Sequence, residues 1–374
     1  MIEVRCDRNK SGLYVFDKID RSKHRVVMNS FSEKKNSENF WCYPEYDIPF
    51  LVKYRKYPSY IFALYSELLY AGACKQNGVE CANIDVATFK GYPCVLSQDV
   101  SFGADEKMNA YGLATLAGIE KEELYYNDEK TYREGFFADR LFKYANLAKE
   151  RYSELEIDKN FLLDLYKIAF IDLMFAQEDR NPTNIMFLLK KNGEKRTLSV
   201  APLFDNEYSF EFMRLFAFYL YNGLDPFEVM NDPVQNLGIG AMFSADCGEV
   251  AKYATPIFGT KYKVRRFRFP LDLSVSDEES EPYRRCANRI LKREYENMAM
   301  IVLSNPEMKK FVDNFKVDMF KVAEDVKAKQ NFDIPEDYTV LAQEIFEYNY
   351  KRLQRQFKKV QKNTVQEKEE EKGE

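Results

Sequence analysis

Residues 179–185 read Asp-Arg-Asn-Pro-Thr-Asn-Ile, and further along Asp205 closes the run Pro202-Leu203-Phe204-Asp205. Two carboxylates and an amide oxygen in this order suit phosphoryl transfer. One carboxylate accepts or orients the attacking hydroxyl, while the second carboxylate and the amide oxygen hold Mg²⁺ against the phosphates. On that chemistry Asp179 is the candidate base, and Asn184 and Asp205 are the candidate metal ligands. An Asp-x-x-x-x-Asn spacing alone is weak, and ordinary loop carboxylates are the alternative. Its setting raises it above that.

The setting is a buried helix followed by a hairpin. Residues 158–177 are apolar nearly all round between 161 and 176, broken by Asp164, Lys167 and Asp172. A helix of that kind sits inside a domain. The polar loop 177–184 leaves it and runs into an apolar strand that Asn184 begins. The chain turns at 190–193, and a second strand, 197–203, leads to Asp205. If the two strands pair, Asn184 and Asp205 lie side by side at their ends.

The wider chain divides by character near 97–104. Before it come strand-like segments at 13–16, 25–29, 40–43 and 49–54. They are followed by a helix with apolar spacing over 60–76 and two strands, 83–89 and 92–96, joined by Lys90-Gly91. After it most of the sequence reads as helix, including 210–221, 285–303, 306–329 and 338–362. The expected class is α+β, with a small β-rich part (1–100), a larger helical part (101–362) and a disordered acidic tail (363–374).

Composition removes several alternatives. The chain of 374 residues has one histidine, His24, so multi-histidine zinc sites are excluded. Histidine-dependent nucleophilic catalysis would have to run through that single residue. The seven cysteines form no Cys-x-x-Cys pair and are odd in number, which fits a reducing cytoplasm better than a disulfide framework. A net charge of −5 gives no bulk affinity for nucleic acid or anionic membrane. No apolar run reaches the length of a membrane span. The basic, aromatic stretch 261–269 could stack on nucleic acid, but an amphipathic strand with a solvated basic face explains it as well.

The motif residues resemble those of the HipA-like serine/threonine kinases, including their CtkA-like branch, which share features with phosphatidylinositol kinases. In those families the loop reads Asp-Arg-His-x-x-Asn-Ile, so Asn181 stands where they carry histidine. Pro-Leu-Phe-Asp at 202–205 is similar to the Pro-Leu-Tyr-Asp that precedes their metal site. The order of elements that carries the likeness runs roughly from residue 25 to 350.

The resemblance implies a bilobal protein-kinase-like fold that uses ATP and Mg²⁺. It points to a strand lysine meeting the phosphates and a helix glutamate positioning it. Lys53, the lysine within the apolar run 50–54, and Glu67, midway along the 60–76 helix, occupy those places. The adenine would meet the connector backbone at Gln98 and Val100. The polar segment 30–39 would cover the phosphates in place of a Gly-rich loop, which the chain lacks. Ser30, Ser32 and Ser37 there are candidates for autophosphorylation. The expected activity is γ-phosphate transfer to protein serine or threonine, the chain itself included, in the cytoplasm. The expected partners are ATP and a protein substrate, with neither membrane nor nucleic acid. A nucleotide-binding pseudokinase and a small-molecule or lipid kinase are the alternatives.

Overall fold

The computed structural model describes residues 7–8, 14–15, 37–42, 50–55, 60–89, 92–119, 136–177, 180, 182–207, 209–210 and 293–370. They belong to two units. The first draws on Met1–Gly103, Pro202–Ala245 and Lys316–Gln343, and the second on Ala104–Ala201, Asp246–Phe315 and Glu344–Glu374. Two later stretches of chain thus return to the first unit.

In the first unit a six-stranded sheet runs in the order β1-β2-β5-β6-β4-β3, from β1 (Asp7–Arg8), β2 (Tyr14–Val15), β3 (Ser37–Cys42), β4 (Phe50–Arg55), β5 (Ile84–Phe89) and β6 (Tyr92–Gln98). The β5–β6 hairpin closes with Phe89 opposite Tyr92, as the sequence predicts. Helix α1 (Tyr60–Gln76) matches the predicted range. Its residues 62–70 are all buried, so it is an interior helix whose stability comes from packing. It ends at Asn77-Gly78, where Gly78 takes φ +64° and lets the chain leave through a left-handed turn. Strand β4 sends Val52 and Lys53 to opposite faces, and both are buried.

The segment after residue 201 reaches this unit through backbone pairing. The amide of Ala82 donates to the Leu203 carbonyl at 2.7 Å, and the amide of Leu203 donates to the Glu80 carbonyl at 3.0 Å. This short parallel bridge carries Asp205 back toward elements more than a hundred residues earlier in sequence.

In the second unit a four-stranded sheet runs β7-β9-β10-β8, from β7 (Glu106–Asn109), β8 (Leu155–Ile157), β9 (Met186–Asn192) and β10 (Lys195–Val200). The predicted hairpin is β9–β10, turning at Gly193. Helices α2 (Ala110–Ala117), α3 (Phe137–Arg151) and α4 (Phe161–Met174) surround it. A helix over 293–304, here α5, and α6 (Pro306–Asn314) complete the unit with the later part of α8 (Glu336–Glu370). Its core is aromatic. Phe161 stacks on Phe187 at 5.3 Å, and Phe170 meets Phe315 edge-on at 5.1 Å. Buried Asn349 ties the helices together, accepting from Tyr295 Oη at 2.7 Å and donating to the Met174 carbonyl at 3.1 Å.

The α+β class expected from the sequence is the one observed. Several elements differ from expectation. The single helix expected over 306–329 is two, α6 and α7 (Met319–Gln330), separated at 315–318. Asp318 caps the second helix by accepting from the Lys321 amide, which fixes a fresh start there. Helix α8 runs on through Glu370, across most of the expected disordered tail. Residues 363–370 hold no proline or glycine and are rich in Gln, Glu and Lys, so a helix already nucleated propagates through them. Finally, β1, β7, β8, α2 and α3 have no counterpart in the sequence reading. The expected strand 25–29, most of the helix expected over 210–221 and the basic stretch 261–269 lie outside the described residues. Among the described residues no helix is long and apolar enough to cross a membrane.

Candidate active site

The first unit gathers three charged side chains from distant parts of the chain. Lys53 Nζ donates to Glu67 Oε1 at 2.6 Å and to Asp205 Oδ1 at 2.7 Å. Strand β4 supplies the lysine, α1 the glutamate and the stretch beyond β10 the aspartate. Lys53 and Glu67 are buried, whereas the Asp205 side chain keeps 29% of its surface exposed. Removing an ammonium from water costs several kcal/mol unless charged partners replace the solvent. Two carboxylates do so here, and they fix the ammonium between them. The three residues carry two negative charges against one positive. Glu67 Oε2 is buried with no hydrogen-bond partner among the described residues.

The backbone at Asp205 is unusual. Its φ is +56°, a left-handed conformation that aspartate tolerates better than most residues. Such outliers persist where the surroundings over-determine them. The surroundings here are specific. Asn206 Nδ2 donates to Cys81 Sγ at 3.6 Å, and Ser66 Oγ, next to Glu67, donates to the Ser209 carbonyl at 2.8 Å. Asn206, Ser209 and Phe210 are fully buried. The loop bearing Asp205 is therefore fastened directly to the helix bearing Glu67.

The connector residues belong to the same unit. Gln98 ends β6, and its amide donates to the Asn83 carbonyl at 2.9 Å. Val100 begins the turn 100–103, which Asp99 organises by accepting from the Ser101 amide at 2.9 Å. Both residues are half-buried.

The second unit holds the other motif. Asp179, with Glu178 and Asn181, lies outside the described residues. Arg180 is described, and its Nε donates to Asp172 Oδ2 at 2.9 Å and its Nη2 donates to Asp172 Oδ1 at 3.1 Å. Both side chains are 1% exposed. This two-pronged geometry is the strong form of a carboxylate pair. Arg180 Nη1 also donates to the Asn184 carbonyl at 3.3 Å, so one guanidinium ties the end of α4 to the start of β9. The Ala110 amide, at the head of α2, donates to the Pro182 carbonyl at 3.1 Å. Asn184 is half-buried, and its Oδ1 accepts from Thr183 Oγ1 at 3.4 Å. The β9–β10 register ends at Phe187 opposite Val200, short of both Asn184 and Asp205. Asn184 belongs to the second unit and Asp205 to the first.

Sequence reasoning singled out Lys53, Glu67, Gln98, Val100, Asp179, Asn184 and Asp205; of these, the structure joins Lys53, Glu67 and Asp205. It missed the Asp172–Arg180 pair and the Ser66–Ser209 bond. Asp172 carried a signal, because an acid within an apolar helix needs a buried partner. Ser66 carried none. Among the described residues no group of three His, Cys, Asp or Glu side chains forms a metal site. In the first unit, Asp205 offers a partly exposed carboxylate oxygen, a donor type that suits a hard cation.

No protein-family model matches the chain, and no curated protein matches it in sequence. Among the solved structures similar to it are two of known description. One is a Helicobacter pylori proinflammatory kinase, CtkA, at 12% identity and TM-score 0.47, covering 97% of this chain and 99% of that one. The other is HipA of the Shewanella oneidensis HipA–HipB toxin–antitoxin system, in a complex with HipB and operator DNA. It is at 13% identity and TM-score 0.36, covering 82% of this chain and 58% of that one.

Proposed function

We propose that the chain is an ATP-dependent kinase that passes the γ-phosphate to serine or threonine hydroxyls of protein, its own included. The observation that carries this reading is the buried Lys53 ammonium, held by Glu67 and Asp205. A lysine so held is a preorganised positive charge, which meets a phosphate without reorganising during reaction. Neither carboxylate needs to move to keep it in place.

The remaining roles follow the chemistry of phosphoryl transfer. The acceptor hydroxyl oxygen bonds to the γ-phosphorus as the bond to the β,γ-bridging oxygen breaks and ADP leaves. Asp179 takes the hydroxyl proton. Lys53 holds the phosphates, and Glu67 keeps Lys53 extended toward them. Mg²⁺, when bound, offsets phosphate charge, and Asp205 and Asn184 are the oxygen donors for it. Arg180, anchored on Asp172, sets the course of the chain from Asp179 to Asn184. The connector at Gln98 and Val100 receives the adenine.

The test is incubation of the purified chain with γ-labelled ATP and Mg²⁺, alone and with generic protein substrates. The reading predicts labelled phosphoserine or phosphothreonine. Nucleotide binding without transfer would point to a binding module, and label confined to lipid or small molecules would move the acceptor class.

A further inference from the structure

Helix α1 carries Glu67 on one side, and the opposite side is covered by a segment from near the end of the chain. At 100° per residue, Phe62, Tyr65, Leu69, Gly72 and Gln76 form one stripe along α1, and Glu67 stands about half a turn away from it. Residues 316–338 lie along that stripe. Phe62 meets Tyr338 at 5.3 Å between ring centroids, and Tyr65 meets Tyr338 at 5.2 Å and Phe332 at 6.0 Å.

Three features make this contact specific. At Gly72 the helices approach so closely that an added Cβ would stand 2.3 Å from Val322 Cγ1. Valine is stiff at χ1 and buried here, so it cannot swing aside. Glycine is unfavourable inside a helix, and its place at this crossing matches the space available. At the C-terminal end of α1, two side-chain amides each grip the 316–318 backbone twice. Gln76 donates to the Asp318 carbonyl at 2.9 Å and accepts from the Asp318 amide at 3.0 Å. Asn77 does the same with Lys316, both at 2.8 Å. At the far end of α7, Gln330 repeats the device on β5, accepting from the Val86 amide at 2.7 Å and donating to the Ile84 carbonyl at 2.9 Å. Side chains that copy strand pairing fix position as well as proximity.

We infer that residues 316–338 are a built-in brace that holds α1 in the setting where Glu67 meets Lys53, with Gly72, Gln76 and Asn77 as positioning residues. The functional meaning of the brace rests on the kinase reading, whereas its effect on Lys53 does not. Glu67 is rigidly part of α1, so a small roll or slide of the helix separates Oε1 from Nζ. The sheet limits α1 on one side and the brace limits it on the other. The ion pair then survives in the absence of any ligand.

The experiment measures Lys53 directly in the full chain without nucleotide. A brief exposure to an amine-acylating reagent is followed by peptide mass spectrometry, with exposed Lys309 and Lys351 as internal references. Gly72→Ala should raise acylation of Lys53 several-fold over those references and lower phosphate transfer. Adding Val322→Ala should reverse both changes, because it removes the methyl groups that the new Cβ strikes. Should Gly72→Ala fail to fold, Gln76→Ala with Asn77→Ala supplies the same test through lost backbone grips. Lys53 labelling equal to wild type in these folded variants would overturn the brace, as would a rise that Val322→Ala leaves untouched. Absence of phosphate transfer in the wild type, with labelling that follows the expected pattern, would remove the kinase reading and leave the brace standing.

Discussion

Lys53 Nζ and Asp205 Oδ1 stand 2.7 Å apart although 152 positions separate them in the chain. The same ammonium is 2.6 Å from Glu67 Oε1. The contact joins the strand of the lysine to the motif Pro-Leu-Phe-Asp, so the candidate phosphate-binding cation and the candidate metal ligand are set against each other before any ligand arrives. Removing Lys53 leaves two carboxylates without their shared partner, whereas removing either carboxylate leaves the buried ammonium with one partner in place of two.

Lys53→Met should therefore abolish phosphate transfer and also destabilise the fold. Two carboxylates would lose their shared partner, and breaking a buried pair this way costs about 3–5 kcal/mol. Chemical denaturation alongside the transfer assay checks both halves. A variant as stable as wild type would show that Lys53 is not held as described.

Glu67→Gln preserves shape and removes charge. It should reduce kcat/KM by about 10- to 100-fold, the rate equivalent of roughly 1.5–3 kcal/mol for a charged hydrogen bond. Steady-state kinetics decide it, and circular dichroism verifies that α1 is intact.

Asp172 and Arg180 form a buried pair that ties the end of α4 to the start of β9. Alanine at either position should cost about 3–5 kcal/mol, whereas Asp172→Leu with Arg180→Met should cost less than either single change. Urea denaturation of the set tests this. Equal, additive losses would mean that the two residues act separately.

Asp205→Ala should weaken Mg²⁺·ATP binding far more than binding of metal-free nucleotide, because a carboxylate serves the hard cation and the adenine contacts lie elsewhere. Calorimetric titration with and without Mg²⁺ measures the difference. Equal weakening in both would take Asp205 out of the metal role.

Much of this arrangement is legible in the sequence, and the parts that are not have physical reasons. Helix α1 is legible from its apolar spacing and its Asn-Gly stop, and the hairpins from their turn residues. Lys53 and Glu67 are legible through the family resemblance, which points to a strand lysine and a mid-helix acid at those places. The Lys53–Asp205 contact has no local signature, since it depends on the bridge that Leu203 makes with the backbone at Glu80 and Ala82. The break between α6 and α7 is hidden for another reason. Phe311, Val312, Phe315, Met319 and Val322 continue a helical apolar pattern straight through it. The chain nevertheless breaks, because Asn77 and Gln76 take the backbone of Lys316 and Asp318 and Asp318 caps a new helix. Strands β7 and β8 are four and three residues long, below the length at which alternation can be read.

The most direct test of the central claim is transfer of label from γ-labelled ATP to protein, measured for wild type and for Asp179→Ala with ATP affinity followed in parallel. The account predicts phosphoserine or phosphothreonine in the wild type. In the variant it predicts a large loss of turnover with ATP affinity nearly unchanged, because the carboxylate meets the hydroxyl and not the nucleotide. Unaltered transfer in Asp179→Ala, or lost ATP binding with turnover intact at saturation, would contradict it.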